Sequence, residues 1–270
     1  MSQAEYQHRA RKRFGQNFLH DQGVIDHIGA VINPRADDRM VEIGPGKGAL
    51  TSRLLDSGCH LDAIELDRDL LALLQTQMGD NENLVLHSGD ALKFDYTSLA
   101  VNARKLRVVG NLPYNISTPL LFKLLAVAPI IKDMHFMLQL EVVQRLASAP
   151  GSKRWGRLGV MAQYYCRVDS LFEVPPGAFS PAPKVQSAVV RLIPHPAVDR
   201  PRVDPGLLGK VVQTAFSQRR KTLRNTLRDL VDEASLEQLG IDPSARAETL
   251  ELEQFIKITE SLTQNGDTHG

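Results

Sequence analysis

The chain has 270 residues, enough to bury a substantial core in one large domain or in a large and a small one. With 43% hydrophobic residues, 23% charged residues and a formal net charge of +1, it is not disordered throughout, and any nucleic-acid signal must lie in local clusters. Cys59 and Cys166 stand far apart in no paired motif, which argues against a disulfide framework or a thiolate metal site and for a reducing cytoplasm.

The opening residues are polar and basic, and no apolar run is long enough to span a bilayer, so neither a secretory signal nor a membrane anchor is expected. Arg9, Arg11, Lys12 and Arg13 then lead into Phe14-Gly15-Gln16-Asn17-Phe18-Leu19, a basic and then amide-bearing arm suited to an anionic surface or to plain solvation. From Asp21, the spacing of Val24, Ile25, Ile28, Val31 and Ile32 predicts an amphipathic helix that ends before Asn33-Pro34.

Met40-Val41-Glu42-Ile43-Gly44-Pro45-Gly46-Lys47-Gly48 reads as a strand running into a glycine turn, and Leu50, Leu54 and Leu55 continue it as a helix. The glycine spacing differs from the dinucleotide pattern, in which the third glycine falls one residue later, and favours a nucleoside ligand without pyrophosphate. A second strand, Leu61 to Glu65, ends in a carboxylate about twenty residues past the turn, where a ribose hydroxyl pair is expected. After a helix through Leu70, Leu71, Leu73 and Leu74, a third strand, Leu84 to Leu86, runs into Ser88-Gly89-Asp90-Ala91. It sets Asp90 where a carboxylate can accept from an exocyclic amine.

The fourth strand carries Val108-Val109-Gly110-Asn111-Leu112-Pro113-Tyr114, an apolar run halted by an amide, a proline and an aromatic ring. Pro113 removes a donor and holds Leu112 extended, so the carbonyls of this turn are left to accept hydrogen bonds in the crevice beside Asn111 and Tyr114. The alternative is an ordinary proline turn with Tyr114 packed on the core. A fifth strand, Met134 to Gln139, completes an alternation of strands and helices that predicts a doubly wound parallel sheet.

Beyond Pro150 the texture changes. Gly151-Ser152-Lys153-Arg154-Trp155-Gly156-Arg157 is a basic loop around the only tryptophan, suited equally to phosphate contact with base stacking and to solvent exposure. Two further strands, Leu171 to Val174 and Ser187 to Leu192, flank Phe179-Ser180-Pro181-Ala182-Pro183-Lys184-Val185. In that loop Phe179 would be the second wall of a base slot opposite Tyr114, or a buried ring among prolines. Pro194 to Pro205 reads as a linker, and a helical domain should follow. Its apolar face runs through Leu207, Leu208, Val211, Val212, Ala215 and Phe216 and on to Leu223, Leu227 and Leu230. Arg220, Arg224 and Arg228 recur every fourth residue and with Arg219 and Lys221 form an expected basic ridge for a polyanion. Ala247 to Phe255 has helical spacing, fraying is expected from Thr263, and the scattered histidines predict no metal site.

Taken together, Gln16-Asn17-Phe18-Leu19, Glu42 to Gly48, Glu65, Gly89-Asp90-Ala91, Asn111 to Tyr114 and Phe179 to Val185 resemble the ribosomal RNA adenine N6-dimethyltransferases over nearly the whole chain. Phe216 to Asn225 is similar to the branch of that family acting on bacterial 16S rRNA, the kasugamycin-resistance type. The resemblance implies a Rossmann-like class I methyltransferase domain over 1–196, with the basic arm, and a small helical RNA-recognition domain over 197–270. It implies S-adenosylmethionine as cofactor, bound by Asn17, Leu19, Gly44, Glu65, Asp90 and Asn111. Asn111 and the Leu112 carbonyl would serve the reacting amine, with Tyr114 and Phe179 sandwiching the base. Arg11, Lys12, Arg13, Lys153, Arg154, Arg157, Lys184, Arg219, Arg220, Lys221 and Arg224 would hold RNA. The implied substrate is a pair of adjacent adenines in a 3′-terminal hairpin loop of 16S rRNA on an immature 30S particle, met by a cytoplasmic monomer with no obligate protein partner. Two competing classes are a methylase of DNA adenine or protein glutamine and a non-catalytic assembly factor. Leu112 before the proline and the basic tail argue against the first, intact Asn111 and Glu65 against the second.

Overall fold

In the computed structural model the described residues are 16–101 and 104–267. In chain order the elements are β1 (Phe18–Leu19), α1 (Gln22–Ile32), β2 (Arg39–Ile43), α2 (Ala49–Leu55), β3 (His60–Glu65), α3 (Arg68–Met78), β4 (Leu84–Ser88), β5 (Leu106–Asn111), α4 (Ser117–Ala126) and β6 (Ile131–Gln139). They continue with α5 (Leu140–Leu146), α6 (Arg157–Tyr165), β7 (Cys166–Val174), β8 (Phe179–Ser180), β9 (Ser187–Pro194), α7 (Pro205–Ala215), α8 (Leu223–Thr226), α9 (Glu233–Gln238) and α10 (Leu252–Asp267). The chain forms two compact units: Met1–Val143 with Asp169–Pro194, and Gln144–Val168 with His195–Gly270. Residues 144–168 thus group with the C-terminal segment, which interrupts the 1–196 span expected for the first domain.

The first unit is built on a sheet of order β4-β3-β2-β5-β6-β9-β7. Strands β2 to β6 pair in parallel, as the alternation with helices predicts. β9 departs from that expectation and runs antiparallel to β6. It lies beyond Cys166, where strand follows strand with no α-helix to carry the chain back, and parallel pairing requires such a crossover. Strand order reverses between β2 and β5, so a crevice opens beyond their carboxyl ends. β1 and β8 form a separate antiparallel pair, Phe18 opposite Ser180 and Leu19 opposite Phe179. Asp21 caps α1 by accepting from the Val24 N–H at 3.0 Å, and Asn33 closes it at φ 48. Beneath lies a core that includes Ile28, Met40, Leu54, Leu61, Val109, Met137 and Val189.

At the opposite end of the sheet, buried Arg107 binds three elements together. Its Nη1 donates to Asp38 Oδ2 at 2.6 Å, its Nε to Asp133 Oδ1 at 3.0 Å, and its Nη2 to the Ile32 carbonyl of α1 at 2.7 Å. Burial opposes ionisation of Asp38 and Asp133. The Arg107 guanidinium, with Lys132 beside Asp38 and His135 beside Asp133, outweighs it and holds both carboxyls below their usual range.

The second unit packs α6, α7 and α10 together. Asp204 caps α7, and Trp155 is buried with its indole Nε1 donating to the Leu250 carbonyl at 2.8 Å. The ring expected to stack on a base or meet solvent is therefore part of this unit's core. The basic ridge is also corrected. α7 stops at Ala215, and the Leu223 and Arg224 amides donate to the Ala245 and Pro243 carbonyls instead of continuing the helix. Arg220, Arg224 and Arg228 consequently share no single helical face, although all are exposed. At its far end α10 runs to Asp267, through the stretch from Thr263 expected to fray.

Candidate active site

The crevice at the β2–β5 switch contains a cavity of about 300 Å³, at the small end of the range of about 300–1,000 Å³ typical of ligand pockets. Its walls come from consecutive strand ends. β2 delivers the glycine turn, in which Gly46 has φ +60 and a Cβ there would press on the Phe18 ring at 3.2 Å. β3 delivers Glu65, whose Oε2 accepts from the Gly46 N–H at 3.2 Å and whose Oε1 accepts from the Asp67 N–H at 2.9 Å. Burial raises the Glu65 carboxyl above its ordinary value despite those two bonds. Following β4, Asp90 accepts from the Leu92 N–H at 2.9 Å, which fixes its carboxylate at the start of a turn.

β5 delivers the Asn111 to Tyr114 turn. Asn111 Nδ2 donates to the Asn17 carbonyl at 3.0 Å, a partner that assigns the amide's orientation and turns Oδ1 into the acceptor left for a ligand. Asn17 belongs to a segment fixed on both sides, by the β1–β8 pair and by Gln16 Nε2 donating to Asp67 Oδ2 at 3.1 Å. Lys47 Nζ lies 5.0 Å over the Phe18 ring, a cation–π contact at the same rim. The Tyr114 hydroxyl lies 2.9 Å from Ser187 Oγ.

Asn17, Leu19, Gly44, Glu65, Asp90, Asn111, Leu112 and Tyr114 all line this one cavity. Phe179 is not among its lining residues. Its ring is 3% exposed and packs in the core with Ile28 and Val189, so in this structure it offers no second wall opposite Tyr114. Burial of an aromatic ring is worth about 1.5–3 kcal/mol, which favours that placement. Arg11, Lys12 and Arg13 lie outside the described residues. Lys184 is exposed after β8, and Lys153, Arg154, Arg157, Arg219, Arg220, Lys221 and Arg224 are exposed on the second unit. Within that unit Arg219 pairs with Glu248 at 3.2 Å and donates to the Lys153 carbonyl, which brings the two basic stretches together.

The sequence reading gave no role to two buried titratable groups of the lining, Glu42, which it named only as part of a motif, and His135. Glu42 is buried, accepts from Thr51 Oγ1 at 2.7 Å, and has its carboxyl pushed up to about 7 by burial, with the Glu65 charge adding to the shift. His135 is buried in β6, its Nδ1 3.6 Å from Asp133. The signal available for both was a titratable group inside an apolar strand. Among the described residues no cluster suited to a metal ion occurs, and no helix is long and apolar enough to cross a membrane.

These features fit a nucleoside cofactor: a glycine turn, acids at or just past two strand ends, and an amide at a third, all opening into one cavity. Comparison with known proteins agrees. The family model described as "Ribosomal RNA adenine dimethylase" matches residues 7–264. The chain is 59% identical over 260 residues to the Ribosomal RNA small subunit methyltransferase A of Pseudomonas fluorescens (strain Pf0-1), covering 96% of each. It is 58% identical over 259 residues to the protein of that name in Pseudomonas aeruginosa, covering 96% of this chain and 97% of the other. Among solved structures, a dimethyladenosine transferase from Plasmodium falciparum superposes with a TM-score of 0.78 at 25% identity, over 92% of this chain and 98% of that one. The 23S rRNA methyltransferase ErmE superposes with a TM-score of 0.69 at 27% identity, over 92% of this chain and 100% of its own.

Proposed function

The chain belongs to the ribosomal RNA adenine dimethylase family and dimethylates adenine of ribosomal RNA with S-adenosylmethionine, and from that premise we propose which residues do the work and on what RNA. The target is a pair of adjacent adenosines in a hairpin loop near the 3′ end of 16S rRNA, presented on an immature 30S particle. The observation that carries the residue assignment is the common cavity. The Asn111–Tyr114 turn opens into the same space as the glycine turn, Glu65 and Asp90.

In this reading Glu65 takes the cofactor's ribose hydroxyls and Asp90 its adenine amine, while Asn17, Leu19 and Gly44 shape the pocket. The cofactor supplies an electrophilic methyl on sulfonium sulfur. An adenine N6 amine is a weak nucleophile because its lone pair is delocalised into the ring. Asn111 Oδ1 and the Leu112 carbonyl accept its two hydrogens, favour a pyramidal nitrogen and aim its lone pair at the methyl carbon. When bound, the cofactor would supply the methyl and keep the leaving electron pair on sulfur as a neutral thioether, while Asn111 Oδ1 and the Leu112 carbonyl hold the amine until its extra proton passes to water. Positioning, more than a strong base, lowers the barrier. Tyr114 stacks on the flipped base, a contact worth about 1–3 kcal/mol. The monomethylated base re-enters with one hydrogen left to donate. The exposed basic residues of the second unit hold RNA phosphates, and the enzyme acts in the cytoplasm as a monomer, a state that sedimentation checks.

Mass spectrometry of rRNA hairpin fragments, after unmethylated small subunits are incubated with protein and S-adenosylmethionine, tests the assignment. Asn111→Ala should lower methylation by about 10²–10³-fold while particle binding survives. Methylation at the normal rate would remove Asn111 from the reaction.

A further inference from the structure

Ser187 opens β9 and is fully buried, yet its side chain is a hydroxyl that the chemistry above does not use. Its Oγ lies 2.9 Å from the Tyr114 hydroxyl, across 73 residues of sequence. A buried hydroxyl without a partner costs more than a made hydrogen bond returns, so each group holds the other in place. The two ends of this bond differ in rigidity. Ser187 is set in a ladder, paired with Gln139 of β6, and the preceding Gln186 carbonyl accepts from the Leu140 N–H at 2.9 Å. Tyr114 instead stands on the turn between β5 and α4, half-buried at the cavity wall.

A tyrosine ring has two side-chain torsions, and a hydrogen bond at its far end restrains both. We infer that Ser187 is a positioning residue that holds the Tyr114 ring at the tilt against which the target adenine stacks. This rests on the reading of Tyr114 as the stacking platform. The strand ladder supplies a fixed point, the hydroxyl pair transmits it to the turn, and the ring presents a flat wall without waiting for RNA to order it.

Single-turnover methylation of unmethylated small subunits, with cofactor affinity measured separately by calorimetry, tests the inference. Ser187→Ala and Tyr114→Phe each remove the bond from one side, and each should slow methyl transfer about tenfold, the factor one such bond supplies. The cofactor dissociation constant stays unchanged, the double variant is no slower than either single one, and Ser187→Thr, which keeps the hydroxyl, restores the rate. A wild-type rate in Ser187→Ala overturns the inference, as does a double variant slowed by the product of the two singles. Should Ser187→Ala fail to fold, Tyr114→Phe still decides, since a wild-type rate there also overturns it. Tyr114→Ala separates the two levels. If it methylates normally, the platform reading itself fails. If methylation collapses while Ser187→Ala is unaffected, only the positioning role is lost.

Discussion

Glu42 shows how a single residue of the site trades stability for placement. Its carboxyl is 2% exposed, and burial pushes it up to about 7 from its ordinary 4.5. Between those pH values the folded chain holds a proton that the unfolded chain has released, so stability falls as pH rises through the window. Above it the charged form is carried at a cost of about 3 kcal/mol. Glu42→Gln keeps an oxygen to accept from Thr51 and removes the charge. Urea unfolding should find the variant more stable than the parent by about 3 kcal/mol at pH 8 and nearly equal to it at pH 4. A gap that does not change with pH would mean that the carboxyl titrates normally and that its burial is relieved by some other group.

At the scale of elements, the two ends of the sheet do different work. The carboxyl ends of β2, β3, β4 and β5 hold the site, whereas Arg107 near the start of β5 fastens α1 to Asp38 before β2 and to Asp133 on β6. Arg107→Ala leaves buried Asp38 with Lys132 alone and half-buried Asp133 without its guanidinium, and should cost about 3 kcal/mol, the low end for a broken buried pair because Lys132 stays. Because both carboxyls titrate below their usual range, their contribution is present above pH 3.8 and is lost as pH falls. The gap between parent and variant should therefore narrow in acid, as chemical denaturation at several pH values will show; a constant gap would place the loss in packing instead. This division of labour also explains what was legible in the sequence. Glu65 and Asn111 each end an apolar strand and Asp90 stands two residues past one, and a polar residue where a hydrophobic run stops is visible without tertiary knowledge. Arg107 lies within such a run and gains its meaning from partners 69 and 26 residues away. The two-residue strands β1 and β8 carry no periodicity at all, and so Phe179 read as a candidate site residue while the structure gives it to the core.

For the molecule as a whole, a net charge of +1 conceals a local bias. From Gln144 to Val168 the chain carries Arg145, Lys153, Arg154, Arg157 and Arg167 with no acidic residue. From Phe216 to Arg228 it carries Arg219, Arg220, Lys221, Arg224 and Arg228, again with none. Both stretches fall in the second unit, a grouping hidden in the sequence because it depends on contacts such as Trp155 to Leu250, 95 residues apart. Helical spacing did find the charges but misplaced their cause, since loop carbonyls, not a continued helix, present them. A cluster that binds phosphates releases counterions, and its affinity must then fall with salt. Replacing Arg220, Lys221 and Arg224 together with alanine should weaken rRNA binding most at low salt. The slope of log affinity against log salt should become shallower by about 2, near 0.7 per lost contact. Filter binding across a salt series measures both quantities. An unchanged slope would show that these three charges face solvent when RNA is bound, and the phosphate contacts would have to be sought among Lys153, Arg154 and Arg157, which the Arg219 bond to the Lys153 carbonyl holds nearby.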